Sequence, residues 1–168
     1  MSKLNYYKNL EEAISGGLNV VLSTEKSKYL SDCVDVFLFL TKKRDVVVFS
    51  FENSDIKKRF EDGGGDLKQL HVINLPSSNS LQDMEVLINS KISEISGKKV
   101  VVFVSSHNLT KLFDINEVGI FLSGFLKRMK EGKISVVSIL NTSMKVMLLE
   151  IISGYADKII RMKKEEII

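Results

Sequence analysis

The chain of 168 residues has one cysteine, one proline, two histidines and no tryptophan. A single cysteine cannot form an internal disulfide or a cysteine-based metal cage, so we expect a reducing, cytoplasmic setting. Two histidines are also too few for a histidine-based metal cluster. No apolar run approaches the roughly 18 residues of a membrane-spanning helix, and the first residues lack the apolar core of a signal peptide. We therefore expect no metal and no membrane.

Charge and hydropathy indicate a folded domain rather than a disordered or strongly basic one. The chain has 24 basic and 21 acidic residues and a net charge of +3, which permits contact with nucleic acid without arguing for it. Hydrophobic residues make up 44%, a fraction that argues against disorder. Because there is no linker, repeat or low-complexity tract, we expect a single domain over residues 1–168.

Short β-branched runs alternate with longer amphipathic stretches along the chain. The runs predict strands at residues 18–23, 45–50, 71–75, 99–104, 134–140 and 157–162. The stretches between them predict helices at residues 26–42, 54–61, 81–95, 115–130 and 144–152. Strands that alternate with helices in this way indicate an α/β fold with a mainly parallel sheet.

Several short motifs, in order, resemble the KaiC/RadA-like ATPases of the RecA superfamily. Residues 10–18 (LEEAISGGL) are similar to the stretch that leads into the family's first strand, and residues 46–54 (VVVFSFENS) to its second strand and acidic end. Residues 65–76 (GDLKQLHVINLP) are similar to its third strand with the preceding loop, and residues 153–162 (SGYADKIIRM) to its last strand. The resemblance implies a RecA-like three-layer α/β/α fold.

Nucleotide binding in that family requires a G-x-x-x-x-G-K-[ST] loop between the first strand and the first helix. Its glycines let backbone amides wrap the phosphates, while the lysine neutralises their charge. The corresponding residues 22–28 read LSTEKSK and contain no glycine. Lys26 and Ser27 resemble the end of the motif, whereas Glu25 is a carboxylate where phosphate charge is expected. We interpret Lys26 and Ser27 as remnants in a tight connection and expect no bound cofactor.

Two acidic positions of the family's site also bear on hydrolysis. A carboxylate that holds Mg²⁺ is required at the end of the fourth strand, where this chain has Val104 and Ser105. The pair of catalytic glutamates after the second strand becomes Glu52-Asn53, so one carboxylate is retained. We expect Glu52 to cap or orient the following helix. The resemblance, with these departures, predicts a pseudo-ATPase without catalytic residues.

Small polar residues follow several of the predicted strands. In parallel sheets, ligands bind outside the carboxyl ends of the strands, so these residues are candidates for a polar ligand edge: Ser23, Thr24, Ser105, His107 and Asn141. The alternative is that such residues cap the helices that follow. No G-x-S-x-G motif surrounds the serines beside His107, so we do not expect a nucleophilic site.

Domains of the RecA superfamily typically associate through their sides. The resemblance therefore implies an interaction or regulatory subunit of an archaeal cytoplasm, which pairs with itself or with an active ATPase paralogue. One apolar face of the 115–130 helix offers candidate contacts: Ile115, Val118, Leu122 and Phe125. Two alternatives remain open. One is an accessory nucleic-acid-binding protein similar to recombination mediators, and the other is a residual nucleotide-binding protein that uses Lys26, Ser27 and Glu52.

Overall fold

A computed structural model describes residues 3–52, 54–75, 80–141 and 146–162. The helices are α1 (Lys3–Ser15), α2 (Tyr29–Leu40), α3 (Ile56–Asp62), α4 (Leu81–Glu94), α5 (Leu109–Leu112), α6 (Ile115–Glu131) and α7 (Val146–Gly154). The strands are β1 (Val20–Thr24), β2 (Asp45–Ser50), β3 (Leu70–Asn74), β4 (Lys99–Val104), β5 (Val136–Asn141) and β6 (Lys158–Arg161). Single 3₁₀ turns at Lys26–Lys28 and Ser106–Asn108 precede α2 and α5.

All six strands belong to one parallel sheet with the order β3-β2-β4-β5-β1-β6. In the register, Ser50 at the end of β2 pairs with Val104 of β4, and Thr24 of β1 pairs with Asn141 of β5. The carboxyl ends of these four strands therefore share one edge of the sheet. The predicted α/β fold with a parallel sheet is confirmed.

Helices cover both faces of the sheet. Along β2, Val46 and Val48 pack on the side of α1, α2 and α3, whereas Val47 and Phe49 pack on the side of α4, α6 and α7. This alternation explains the near-continuous apolar runs, because both faces of each central strand are buried. Each fully buried valine or phenylalanine stabilises the fold by about 1.5–3 kcal/mol. The result is the three-layer α/β/α architecture that the resemblance implied.

The structure differs from the predicted elements mainly at helix positions. The predicted helix at residues 26–42 begins with a 3₁₀ turn, so α2 itself starts at Tyr29. Helices α1 and α5 were not predicted. The spacing of Tyr6, Leu10 and Ala13, which are buried on one side of α1, is a helical pattern that could have indicated it. Met144, the predicted first residue of the last helix, lies outside the described residues.

The candidate contacts on α6 are wrong for three of the four residues. Val118, Leu122 and Phe125 are at most 1% exposed, because this side of α6 packs on the sheet. Phe125, for example, stacks on Phe103 of β4 with 5.0 Å between ring centroids. Ile120, on another side of the helix, is 74% exposed. Among the described residues, no helix is long and apolar enough to cross a membrane.

Candidate functional site at the carboxyl edge of the sheet

The connection from β1 to α2 consists of only four residues, 25–28. Glu25 is extended, and a backbone hydrogen bond of 3.0 Å from Lys28 to the Glu25 carbonyl closes the 3₁₀ turn that follows. Lys26 and Ser27 are exposed on this turn, and Lys28 forms an ion pair of 3.6 Å with Glu25. A phosphate-binding loop of the G-x-x-x-x-G-K-[ST] type is about eight residues long, so this connection is about half its length.

Tyr29, the first residue of α2, ties the helix to the ends of two strands. Its hydroxyl donates a hydrogen bond of 2.8 Å to the carbonyl of Ile139 in β5. The same hydroxyl accepts a hydrogen bond of 2.8 Å from the backbone amide of Ser105, directly after β4. Burial raises the pKa of Tyr29 well above its ordinary range, so the phenol stays neutral. Tyr29 thus occupies the sheet edge with a neutral, fully bonded hydroxyl.

Ser105 has a left-handed backbone with φ of 59° and ψ of 32°. For a residue other than glycine this conformation costs roughly 1–2 kcal/mol, and it persists where surrounding contacts hold it. Ser105 is 2% exposed, and its hydroxyl donates a hydrogen bond of 2.6 Å to Oε1 of Glu52. Together with the amide bond to Tyr29, this contact fixes the strained residue.

Both carboxylate oxygens of Glu52 accept hydrogen bonds from within the chain. Oε1 accepts from Ser105, and Oε2 accepts from the side-chain amide of Asn108 at 3.1 Å. The expectation that Glu52 caps the following helix is therefore wrong: Asp55 stands at the N-cap position of α3, and its carboxylate accepts from Arg59. Glu52 instead links the end of β2 to the segment after β4. Asn53, the next residue in the sequence, lies outside the described residues.

His107 and Ser106 lie in the same 3₁₀ turn. Burial lowers the pKa of His107 below its ordinary value of 6.5, although the nearby Glu52 carboxylate opposes this shift. Among the described residues, neither Nδ1 of His107 nor the hydroxyl of Ser106 has a hydrogen-bond partner, and both atoms are buried. The hydroxyl of Ser105 donates to Glu52 rather than to the imidazole. The serines and His107 therefore do not form a nucleophile–base pair in this arrangement.

The other predicted edge residues lie on β1 and β5. Thr24 and Asn141 are register partners and are 2% and 8% exposed. The Thr24 hydroxyl donates to the carbonyl of Glu25 at 3.1 Å, and the Ser23 carbonyl accepts from the amide of Met162 at 2.8 Å. Ser105 does not fit the alternative that these residues cap helices, because its side chain makes no capping hydrogen bond to the turn that follows.

A cleft of about 700 Å³ lies at this edge and brings the three remnants together. Its lining includes Lys26, Ser27 and Glu52, and also Tyr29, Ser31, Asp55, Arg59 and Asn141. Of the predicted polar edge, Asn141 alone is among the described residues that line it. The described part of the lining holds two cations and two carboxylates, so these side chains give no formal excess of positive charge.

Sequence reasoning missed Tyr29 and Arg59 as lining residues. Helical periodicity indicates that Tyr29 is on the apolar side of α2, where it is buried, but periodicity does not show that its hydroxyl reaches the sheet edge. Arg59 belongs to a basic run, residues 57–59, in the first half of α3, and its spacing of four residues from Asp55 is a signal of their ion pair. Among the described residues, no group of histidine, cysteine, aspartate and glutamate could hold a metal ion.

Comparisons with known proteins relate the chain to a fold only. No protein-family model matches the chain, and no curated protein matches it. Among solved structures, the chain is similar to the KaiC-like protein PH0186 from the hyperthermophilic archaeon Pyrococcus horikoshii OT3, with a TM-score of 0.70. The alignment covers 91% of this chain and 75% of that one, at 11% sequence identity. The chain thus has a KaiC/RecA-like fold.

Proposed function

We propose that this protein is a non-catalytic KaiC-like domain that acts as an interaction or regulatory subunit, paired with a second copy of itself or with an active ATPase of the same fold. The observation that carries the proposal is the bonding of Glu52. Each oxygen of Glu52 already accepts one hydrogen bond from its own chain, Oε1 from Ser105 at 2.6 Å and Oε2 from Asn108 at 3.1 Å, so the carboxylate is held toward the segment that follows β4.

The residues around Glu52 support the same conclusion. Val104 and Ser105 stand where the resemblance requires a carboxylate for Mg²⁺, and the Ser105 hydroxyl is already used as a donor to Glu52. The connection that contains Lys26 and Ser27 has four residues, about half of the eight-residue phosphate-binding motif, and the described lining of the cleft beside it holds two cations and two carboxylates. The described side chains of the cleft therefore offer a nucleoside triphosphate no excess of positive charge.

An exposed apolar groove between α4 and α6 is the surface that we assign to the partner domain. The groove has a volume of about 400 Å³ and is lined by Leu81, Phe113, Ile120 and Phe121, with Glu117 at its side. Ile120 is 74% exposed, and Leu112 of the neighbouring α5 is 47% exposed. An exposed apolar side chain at a groove with an apolar lining is a candidate contact for a protein partner.

The test is the molar mass in solution together with partner capture. Light scattering after size exclusion should give a mass above the monomer's 18.9 kDa, or the chain should co-purify with an ATPase of the same fold from its native cell. Ile120→Glu should abolish either association, whereas Ile159→Glu, at an exposed position of β6, should leave it intact. A monomer that captures no such ATPase would contradict the proposal.

A second candidate function, residual nucleotide binding, rests on one observation. Lys26, Ser27 and Arg59 line the same cleft as Glu52, so a cation and a hydroxyl of the degenerate motif face the cavity in which a nucleotide would bind. Titration with labelled ATP and Mg²⁺ tests it. Saturable micromolar binding that Lys26→Ala removes would replace the pseudo-ATPase proposal.

A further inference from the structure

A second cleft, of about 600 Å³, lies at the opposite edge of the sheet, where the strands begin. It is built by the end of α1 and by the three loops that enter β2, β4 and β5. These strands are adjacent in the sheet, so loops that are far apart in sequence meet here. Its charged lining residues are Glu11, Lys43, Arg44, Lys98, Lys99 and Lys133.

The cleft concentrates the positive charge of the chain. Five cations face one carboxylate, which gives a formal charge of +4, whereas the whole chain carries +3. Four helices, α1, α2, α4 and α6, end near this edge, and each helix end carries about half a negative charge. That total of about −2 is smaller than the charge of the side chains, so the cleft keeps an excess of positive potential.

Some of these cations already have structural partners. The ammonium of Lys99 donates to the carbonyls of Ile92 and Ile95 at the end of α4, at 2.9 and 2.5 Å. Glu11 binds Nη2 of Arg44 and lies 3.9 Å from Nζ of Lys43. In the described part of the chain, Lys98 and Lys133 form neither an ion pair nor a side-chain hydrogen bond.

Arg44 is only partly satisfied by Glu11. Its side chain is 8% exposed, and its Nη1 atom is buried without a hydrogen-bond partner among the described residues. A buried donor of a charged group without an acceptor is costly, so a shift of the guanidinium toward an acceptor in the cleft would be favourable. An oxyanion is the acceptor that the planar guanidinium group fits best.

Lys133 lies in the turn that ends α6, at a position where glycine is the usual residue. It follows the end of α6 with φ of +58°, in the left-handed region. The amides of Lys133 and Ile134 close the helix by hydrogen bonds to the carbonyls of Lys130 and Met129, at 3.0 and 2.9 Å. Glycine is the usual residue at this position, so the turn itself does not explain a lysine.

We propose that this cleft binds a small phosphate-bearing anion with two or more negative charges, held by Lys98, Lys133 and Arg44. Lysine acts as a point charge for phosphate, and arginine adds directed donors. A cavity of about 600 Å³ falls within the range of small-ligand sites, which favours a compact ligand over a polymer.

Titration with sodium pyrophosphate, measured by isothermal calorimetry at low and at physiological salt, tests the proposal. The full chain should bind one equivalent, more weakly at the higher salt. The double variant Lys98→Ala/Lys133→Gly should lose at least about tenfold in affinity. Glycine suits the backbone at position 133, so the variant should melt no lower than the original protein.

The matched control is Lys57→Ala/Lys58→Ala, which removes the same charge from exposed positions of α3. It should change the affinity by less than about twofold, since interactions between exposed, distant charges are screened. Absence of saturable pyrophosphate binding, or an equal loss in the control, would overturn the proposal. Titration with a labelled single-stranded oligonucleotide distinguishes a small anion from a nucleic acid. If the oligonucleotide binds more tightly than pyrophosphate and the double variant at Lys98 and Lys133 weakens this binding, the ligand is a nucleic acid and the proposal is overturned.

Discussion

The hydroxyl of Ser105 lies 2.6 Å from Oε1 of Glu52, so the residue that follows β4 donates directly to the carboxylate that follows β2. In a catalytic relative of this fold, the resemblance would require carboxylates at both places, one for Mg²⁺ and one for water. In this chain the Ser105 hydroxyl donates to the Glu52 carboxylate. The contact is a structural bridge between the end of β4 and the end of β2, and the proposed non-catalytic role rests on it.

Substitution of Ser105 separates its hydrogen bond from its backbone strain. Ser105→Ala removes the donor to Glu52 and keeps a side chain in the left-handed region, so we expect a loss of about 1–3 kcal/mol in unfolding free energy. Ser105→Gly loses the same bond but relieves roughly 1 kcal/mol of strain. Urea unfolding should therefore rank glycine above alanine. The reverse order would contradict the role of strain at this position.

Removal of the Tyr29 hydroxyl should destabilise the fold. Tyr29→Phe leaves the carbonyl of Ile139 and the amide of Ser105 without their partner, and we expect a loss of about 2 kcal/mol or more. Tyr155, which is 48% exposed, offers the matched control. Tyr155→Phe should stay within about 0.5 kcal/mol of the original protein in the same denaturation experiment. Equal effects of the two substitutions would mean that the hydroxyl of Tyr29 is not a structural link.

The lowered pKa of His107 predicts a pH dependence of stability. Because burial lowers the pKa in the folded state, the unfolded chain binds a proton first as the pH falls below about 6.5. The unfolding free energy should therefore fall as the pH decreases from 6.5 through the lower, folded pKa. Stability curves between pH 8 and pH 5 should be flatter for His107→Gln than for the original protein. Parallel curves for the two proteins would count against a buried, neutral imidazole.

Ile120 should matter for association and not for folding. Its side chain is 74% exposed, so Ile120→Glu should change the unfolding free energy by no more than about 0.5 kcal/mol. Val118, two residues away, is fully buried, so Val118→Ala should lower the unfolding free energy by about 2 kcal/mol or more. It leaves the exposed side chains of the groove unchanged. Denaturation and light scattering on the same samples distinguish the two effects. If Ile120→Glu lowers the stability but leaves the association unchanged, the groove is not the partner surface.

The strands of this fold could be predicted from sequence because their valine-rich runs are buried on both faces, as along β2 and β4. The short helix α5 was missed because four residues carry too little periodicity. The first turn of the predicted helix at residues 26–42 is 3₁₀ helix, and propensity does not distinguish it from α-helix.

The candidate site was less predictable than the fold because its contacts depend on strand order. Glu52 meets Ser105 only because β2 and β4 are neighbours in the sheet, a fact that hydropathy patterns do not contain. The same holds for the cleft at the opposite edge. Lys43 and Arg44 follow the end of α2 in the sequence, and their proximity to Lys98 and Lys133 follows from the adjacency of β2, β4 and β5.

Titration of the protein with ATP and Mg²⁺, combined with an assay of phosphate release, tests whether this protein lacks nucleotide hydrolysis. We expect no hydrolysis above background and no saturable binding that depends on Lys26. ATP binding that is lost in Lys98→Ala/Lys133→Gly but kept in Lys26→Ala would show that the triphosphate binds in the cleft at the opposite edge. This result would agree with the proposed functions of both clefts. Hydrolysis that Glu52→Gln abolishes, or micromolar binding that Lys26→Ala removes, would contradict the proposed non-catalytic role.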